Sequence, residues 1–180
     1  MPQICRIRSP PKLTATSTAS GLFAVDSGVK AGTSELFTRL CHPKNRSTAR
    51  TSLHFKEWDV PILRQGQGWT RSGRILLFEF GNDPQNFKLY LIIGPGPAET
   101  RQRLFDMASQ QHPLKPAFKT LGKSYSTIFV RSFSSPSLYE DAPSEQIQED
   151  IEKKWAQFRD HDLPAILSAL KEQKWIWGRL

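Results

Sequence analysis

The stretch Arg74-Ile75-Leu76-Leu77-Phe78-Glu79-Phe80-Gly81-Asn82-Asp83-Pro84-Gln85-Asn86-Phe87-Lys88-Leu89-Tyr90-Leu91-Ile92-Ile93 decides the fold. Leu76, Phe78 and Phe80 alternate with Ile75, Leu77 and Glu79, a period of two that belongs to a β-strand. Phe87, Leu89, Leu91 and Ile93 repeat the pattern in a second strand. The segment between them, residues 81–86, is dense in turn formers. So short a link leaves no room for a crossover, so the strands at 74–80 and 87–93 read as an antiparallel hairpin.

Downstream, Gly94-Pro95-Gly96-Pro97 stops the second strand. A helix is expected to begin at Pro97, where the missing proline N–H costs nothing, with Glu99 complementing the positive end of the helix dipole. Arg101, Leu104, Phe105 and Ala108 fall on one helical face, and His112-Pro113 ends the element. Residues 113–124 read as a loop. Tyr125 to Phe133 reads as a third strand, with Tyr125, Thr127, Phe129 and Arg131 opposite Ile128 and Val130. Ser134-Ser135-Pro136-Ser137 is a turn. A long helix is expected from Pro143, because Ile147, Ile151, Trp155 and Phe158 form one helical stripe. Asp162 is placed to cap a last helix bearing Leu163, Ile166, Leu167 and Leu170.

Upstream of the hairpin, Phe55, Trp58, Val60 and Ile62 read as an extended lead-in interrupted by Pro61, followed by a Gln65-Gly66-Gln67-Gly68 loop and Trp69. Before that the composition changes. Residues 1–50 hold 8 basic and 2 acidic side chains, out of 25 and 17 in the whole chain. Ser, Thr, Pro, Lys and Arg dominate there, and little apolar surface offsets the entropy of ordering. Leu22-Phe23-Ala24-Val25 offers a short strand, and Ser34 to Leu40 a turn or two of helix. The expected organisation is therefore a basic, largely disordered arm over residues 1–51 and one α+β domain over residues 52–180. That domain is an antiparallel sheet of about three strands in the order β-β-α-β-α-α, with helices on one face. No internal repeat is visible.

Composition excludes several classes. Hydrophobic residues make up 38% of the 180-residue chain, below the usual share of about 45–50%, but eleven Phe and five Trp concentrate large burial in few side chains. Cys5 and Cys41 are too few for a disulfide framework and lie in no CxxC pair. No apolar run approaches the roughly 20 residues of a membrane span, and the start has no apolar leader, so a cytoplasmic location without membrane contact is expected. The net charge of +8 favours an anionic partner such as nucleic acid, chiefly through the arm.

A basic α+β chain calls for a search for nuclease chemistry. A metal-dependent site of the Asp…Glu-x-Lys kind needs both carboxylates and the lysine to converge from a sheet. The one Glu-x-Lys is Glu152-Lys153-Lys154, with Asp141 upstream, and it falls within the long helix. Two positions along a helix turn a side chain by about 200°, so Glu152 and Lys154 diverge. Glu79 interrupts an apolar strand, a place where its pKa is open to perturbation, but Gly81 stands where the lysine would be needed; an edge or solvent-facing carboxylate, or a partner for Arg74 or Lys88 across the sheet, is the plainer role. The Gly94–Pro97 turn is neither a GxGxxG nor a Walker loop, and its prolines remove N–H donors. His42, His54, His112 and His161 are scattered away from any ligand spacing. Aromatics interleaved with basic residues occur at Trp69-Thr70-Arg71 and at Lys174-Trp175-Ile176-Trp177-Gly178-Arg179, compositions able to stack bases, though core packing accounts for them equally. No catalytic, metal or cofactor residue is assigned.

The order of several short motifs resembles a family. Gly68-Trp69-Thr70-Arg71-Ser72-Gly73-Arg74 is followed by Leu77-Phe78-Glu79-Phe80-Gly81-Asn82 and by Leu91-Ile92-Ile93-Gly94-Pro95-Gly96 with Arg101. Then come Leu121-Gly122-Lys123-Ser124-Tyr125 with Ile128, and Trp155-Ala156-Gln157-Phe158 before Asp162-Leu163-Pro164-Ala165-Ile166. Together these resemble the C-terminal region of bacterial PD-(D/E)XK nuclease superfamily proteins, over about two thirds of the chain. In that family the Asp and Glu-x-Lys core lies upstream of this region. Residues 1–51 hold only Asp26 and Glu35 and no Glu-x-Lys, so no catalytic residue carries over. The resemblance implies a non-catalytic remnant or accessory domain that contacts nucleic acid or a nuclease-core partner, from a truncated or rearranged gene. The contact residues it points to are Trp69, Arg71, Arg74, Glu79, Lys88 and Arg101. Two alternatives stand beside it. One is a nuclease completed in trans by a core-bearing partner, with Mg²⁺ supplied there and Glu79, Arg74 and Lys88 near the shared site. The other is a binding module that works through the N-terminal arm.

Overall fold

The structure, a computed structural model, describes residues 23–25, 51–55, 58–83, 86–133 and 144–177. Most of residues 1–51, including Cys5, Cys41, His42 and the helical turn expected at Ser34–Leu40, lies outside that set. So do Asp141, the 134–137 turn and the side chain of Ile147.

The hairpin forms as its pattern requires. β3 (Leu76–Asp83) and β4 (Asn86–Ile93) pair antiparallel from Leu76↔Ile93 to Asp83↔Asn86. β5 (Ser126–Ser132) adds to the outer side of β4, again antiparallel. Two further strands, β1 (Phe23–Val25) and β2 (Thr51–Phe55), extend the sheet on the other side, giving the order β1-β2-β3-β4-β5. The fold is thus α+β with an antiparallel sheet, and the three expected strands are its inner and outer right-hand members. The sheet is wider than the three strands expected, because the short strand offered at residues 22–25 and the start of the extended lead-in both join it, as β1 and β2. β1 lies in the segment expected to be a disordered arm; its partner is β2, through Phe23↔Phe55 and Val25↔Leu53.

The helices are α1 (Ala98–Gln110), α2 (Ser144–Gln157), α3 (Leu163–Lys171) and the short α4 (Lys174–Trp177). One turn of π-helix, Phe158–Asp162, joins α2 to α3 without a break. Asp162 therefore does not cap α3. Its carboxylate instead accepts a hydrogen bond from Arg131 Nη1 on β5 at 2.8 Å, and Arg131 Nη2 reaches Gln157 Oε1. This pair ties the sheet to the helix junction.

All the helices supply apolar residues to one cluster on one face of the sheet. Leu104, Phe105, Met107 and Ala108 come from α1, Ile151 and Trp155 from α2, Phe158 from the π turn, Leu163, Ile166, Ala169 and Leu170 from α3, and Ile176 from α4. They meet Leu76, Phe78, Phe80, Phe87, Leu89, Leu91 and Ile93. The core is unusually aromatic: Phe78 sits against Phe55, Trp58, Phe129 and Phe158, and Phe80 against Phe87, Phe133 and Trp155, with centroids 5.2 to 6.4 Å apart. Most of these contacts are edge-on or tilted, the arrangements that ring quadrupoles favour.

The expected alternation along β5 fails at one point. Leu91 faces Phe129, but Ile92 faces Thr127, so Ile128 is an extra residue bulged out of register. The bulge lets Ile128 and Phe129, adjacent in sequence, both be buried.

Candidate nucleic-acid interface

Six side chains were expected from the sequence to meet a partner, and the fold sends them to three places. Glu79 and Lys88 lie on the sheet face turned away from the helices, in different registers: Glu79 is opposite Tyr90, and Lys88 is opposite Gly81. Glu79 is buried, at 4% exposure, and Lys88 is half-buried. Leu77 and Ile92 share this face; both are buried, yet neither belongs to the cluster that holds the helices.

Arg74 and Arg101 are interior residues, each 7% exposed. Arg74 Nη2 bonds Asp59 Oδ1 at 3.0 Å, and Arg64 holds the same carboxylate from the solvent side. Partial burial pushes the Asp59 carboxyl up, but the hydrogen bond from Arg64 and the charges of Arg74 and Arg64 outweigh it and hold the group below the ordinary carboxylate value. Arg101 projects from α1 into the loop before β5. Its Nε donates to Gly94 O at 2.9 Å, Nη1 to Lys123 O at 3.0 Å and Nη2 to Gly122 O at 2.7 Å. The planar fork suits three converging carbonyls as no lysine would. Burial lowers its pKa, though an arginine stays charged. Both arginines are buried and bonded within the fold, apart from Trp69 and Arg71. A charge on an apolar helix face or at a strand start does not show from sequence which backbone groups it meets.

Trp69 and Arg71 are at one end of the sheet, on a loop fixed by its own backbone. Gly66 N–H bonds Gly73 O, Gln67 N–H bonds Pro95 O, and Thr70 Oγ1 accepts from Arg74 N–H. Trp69 lies flat against Gly94; a Cβ there would fall 1.9 Å from Trp69 Cε3. Only glycine allows the indole this close. The ring then meets Tyr125 edge-on, at 5.5 Å and 77°. Gly122 permits the matching approach on the other side, where a Cβ would fall 2.1 Å from Tyr125 O. The Gly94–Pro97 turn is thus consumed internally, its first two carbonyls accepting from Arg101 and Gln67.

Beside this pair runs the segment 111–125, of which residues 113–124 read from the sequence as a loop and Tyr125 as the start of the third strand. Lys115 N–H bonds Ile128 O and Ala117 N–H bonds Thr127 O, so residues 115–117 lie along the outer rim of β5. Phe118 follows at 76% exposure, and Tyr125 is 52% exposed. Lys115, Lys119 and Lys123 recur every fourth residue along the segment, all exposed. Neither residues 60–78 nor residues 107–133 contain any Asp or Glu. Among the described residues, the side chains of Arg71, Lys115, Lys119 and Lys123 have no carboxylate partner, whereas Arg64, Arg74, Arg103, Arg131, Lys154 and Arg159 each have one. The site therefore gathers Trp69 and Arg71, which the sequence indicated, with Tyr125, Phe118 and three lysines, which it did not. The acid-free runs were the signal available for them.

Elsewhere the divergence expected in the long helix is seen: Glu152 is exposed, while Lys154 turns inward to Asp150 and to Phe133 O. Among the described residues no helix is long and apolar enough to cross a membrane. The chain matched no family model, no curated protein and no solved structure.

Proposed function

We propose that this chain is a non-catalytic remnant or accessory domain of a PD-(D/E)XK nuclease-family protein, and that it contacts nucleic acid through the end of the sheet formed by residues 65–75 and 111–125. The observation that carries this reading is the cluster of uncompensated cations, Arg71, Lys115, Lys119 and Lys123, around exposed aromatic rings in stretches free of acids. An acidic protein partner would be served by the cations alone, and a purely apolar one by the rings alone. Phosphates with bases between them use both.

Fluorescence anisotropy with a labelled oligonucleotide, titrated at several salt concentrations, tests the reading. Each phosphate neutralised contributes about 0.7 to 0.9 to the slope of log affinity against log salt, so the double variant Lys119→Ala/Lys123→Ala flattens the slope by about 1 to 2. A double variant that binds with the wild-type affinity and slope removes this surface from consideration and returns the binding to the basic N-terminal arm. The purified chain is expected to leave DNA uncut in Mg²⁺. Cleavage that disappears on Glu79→Ala would favour an active nuclease instead.

A further inference from the structure

We infer that this surface takes single-stranded nucleic acid in preference to duplex, with Tyr125 and Phe118 as the base-stacking rings. The inference rests on the reading just given and goes a step beyond it, because cations alone bind a duplex backbone equally well.

Three features point to unpaired bases. First, Tyr125 and Phe118 expose ring surface at 52% and 76%, whereas every other Phe among the described side chains is buried. Aromatic faces are useful to a nucleic acid only where its bases are unstacked. Second, Tyr125 is braced by its surroundings. Trp69 braces it edge-on, Gly94 seats Trp69, and the Arg101 fork fixes the carbonyls of Gly122 and Lys123 just before it. Half of the tyrosine's surface is still exposed, and a ring braced in advance loses little entropy when a base stacks on it. Third, the lysines interleave with the rings along the chain in the order Lys115, Phe118, Lys119, Lys123, Tyr125. A single strand alternates phosphate and base along its length in the same way.

The test compares three fluorescein-labelled probes at one salt concentration: an oligo(dT) of about 12 nucleotides, an oligo(U) of the same length, and a duplex of the same length. The full-length chain is expected to bind one or both single strands at least about 10-fold more tightly than the duplex. Stacking is worth about 1–3 kcal/mol per base, so Tyr125→Ala and Phe118→Ala should each weaken single-strand binding by about 5-fold or more and leave duplex binding unchanged. Phe118→Ala guards against a folding artefact, because that ring is too exposed to support the core. Tyr125→Trp should keep most of the affinity. Duplex bound as tightly as single strand overturns the inference and leaves the nucleic-acid reading standing, as does wild-type single-strand binding by both alanine variants. No binding to any probe overturns both. The oligo(dT) and oligo(U) arms show whether the sugar matters.

Discussion

Leu77 and Phe78 are neighbours on β3, and both are buried, yet they belong to different environments. Phe78 touches four other rings, contributed by the β2 segment, β5 and the π turn. Leu77 faces the opposite way, outside the helix-packed cluster, on the face shared with Ile92 and Tyr90. The first face is built from redundant cross-contacts between elements far apart in sequence. The second, with Leu77, Glu79, Lys88, Tyr90 and Ile92, lies outside that cluster. Substitutions in the packed face and at the Trp69–Tyr125 end should therefore show up in different measurements.

The largest effect is expected from Phe78→Ala. Removing a buried phenyl from a close-packed cluster costs about 3–5 kcal/mol, read as a fall in the urea midpoint. A loss below about 1 kcal/mol would mean that the two faces are not separate. Arg101→Met comes next. It keeps the stem but leaves one buried and two part-buried carbonyls without this donor, at about 1–3 kcal/mol, and Arg101→Lys should recover only part of it because an ammonium cannot span the three oxygens. Gly94→Ala forces Trp69 off the turn. A cost of about 1–3 kcal/mol is expected from overpacking, together with a changed Trp fluorescence spectrum.

Asp59 gives a smaller, pH-dependent signature. Its carboxyl sits below the ordinary value in the folded chain, because Arg64 and Arg74 overcome the opposing effect of burial. The stability it contributes is therefore present at neutral pH and is lost as pH falls below about 4. Thermal melts across that range should show a shallower acid loss for Asp59→Asn than for wild type. Smallest of all is Phe118→Ala, expected within about 0.5 kcal/mol of wild type by denaturation. A larger cost would show that the ring serves packing and not a partner.

How much of this was readable in advance depends on where each signal lies along the chain. The hairpin was legible because alternation and turn chemistry agree within twenty consecutive residues, 74–93. The helical stripe through Ile151, Trp155 and Phe158 was legible for the same reason, and all three are buried. β1 was offered as a short strand at residues 22–25, but its place in the sheet was hidden, since three residues do not show which strand they pair with and the partner, β2, lies more than twenty-five residues on. The bulge at Ile128 was hidden because Ser126 to Ser132 alternates plausibly in either register. At the site, Trp69 and Arg71 stood out as an aromatic next to a charge. Arg74 and Arg101 looked like surface cations until their partners, fifteen residues away for Asp59 and more than twenty for Gly122 and Lys123, came together. Tyr125 was assigned to the third strand, and its proximity to Trp69 is a property of the fold alone.

The Arg101 fork has an electrical consequence. Its three partners are neutral carbonyls, and among the described residues no carboxylate pairs with it. A full unit of positive charge is therefore stored inside the protein, immediately behind Gly122 and Lys123. Mobile counter-ions reach it poorly compared with the exposed lysines in front, and it does not titrate in any physiological range. The potential at this end of the sheet thus has a constant background that persists when added salt has masked the surface charges.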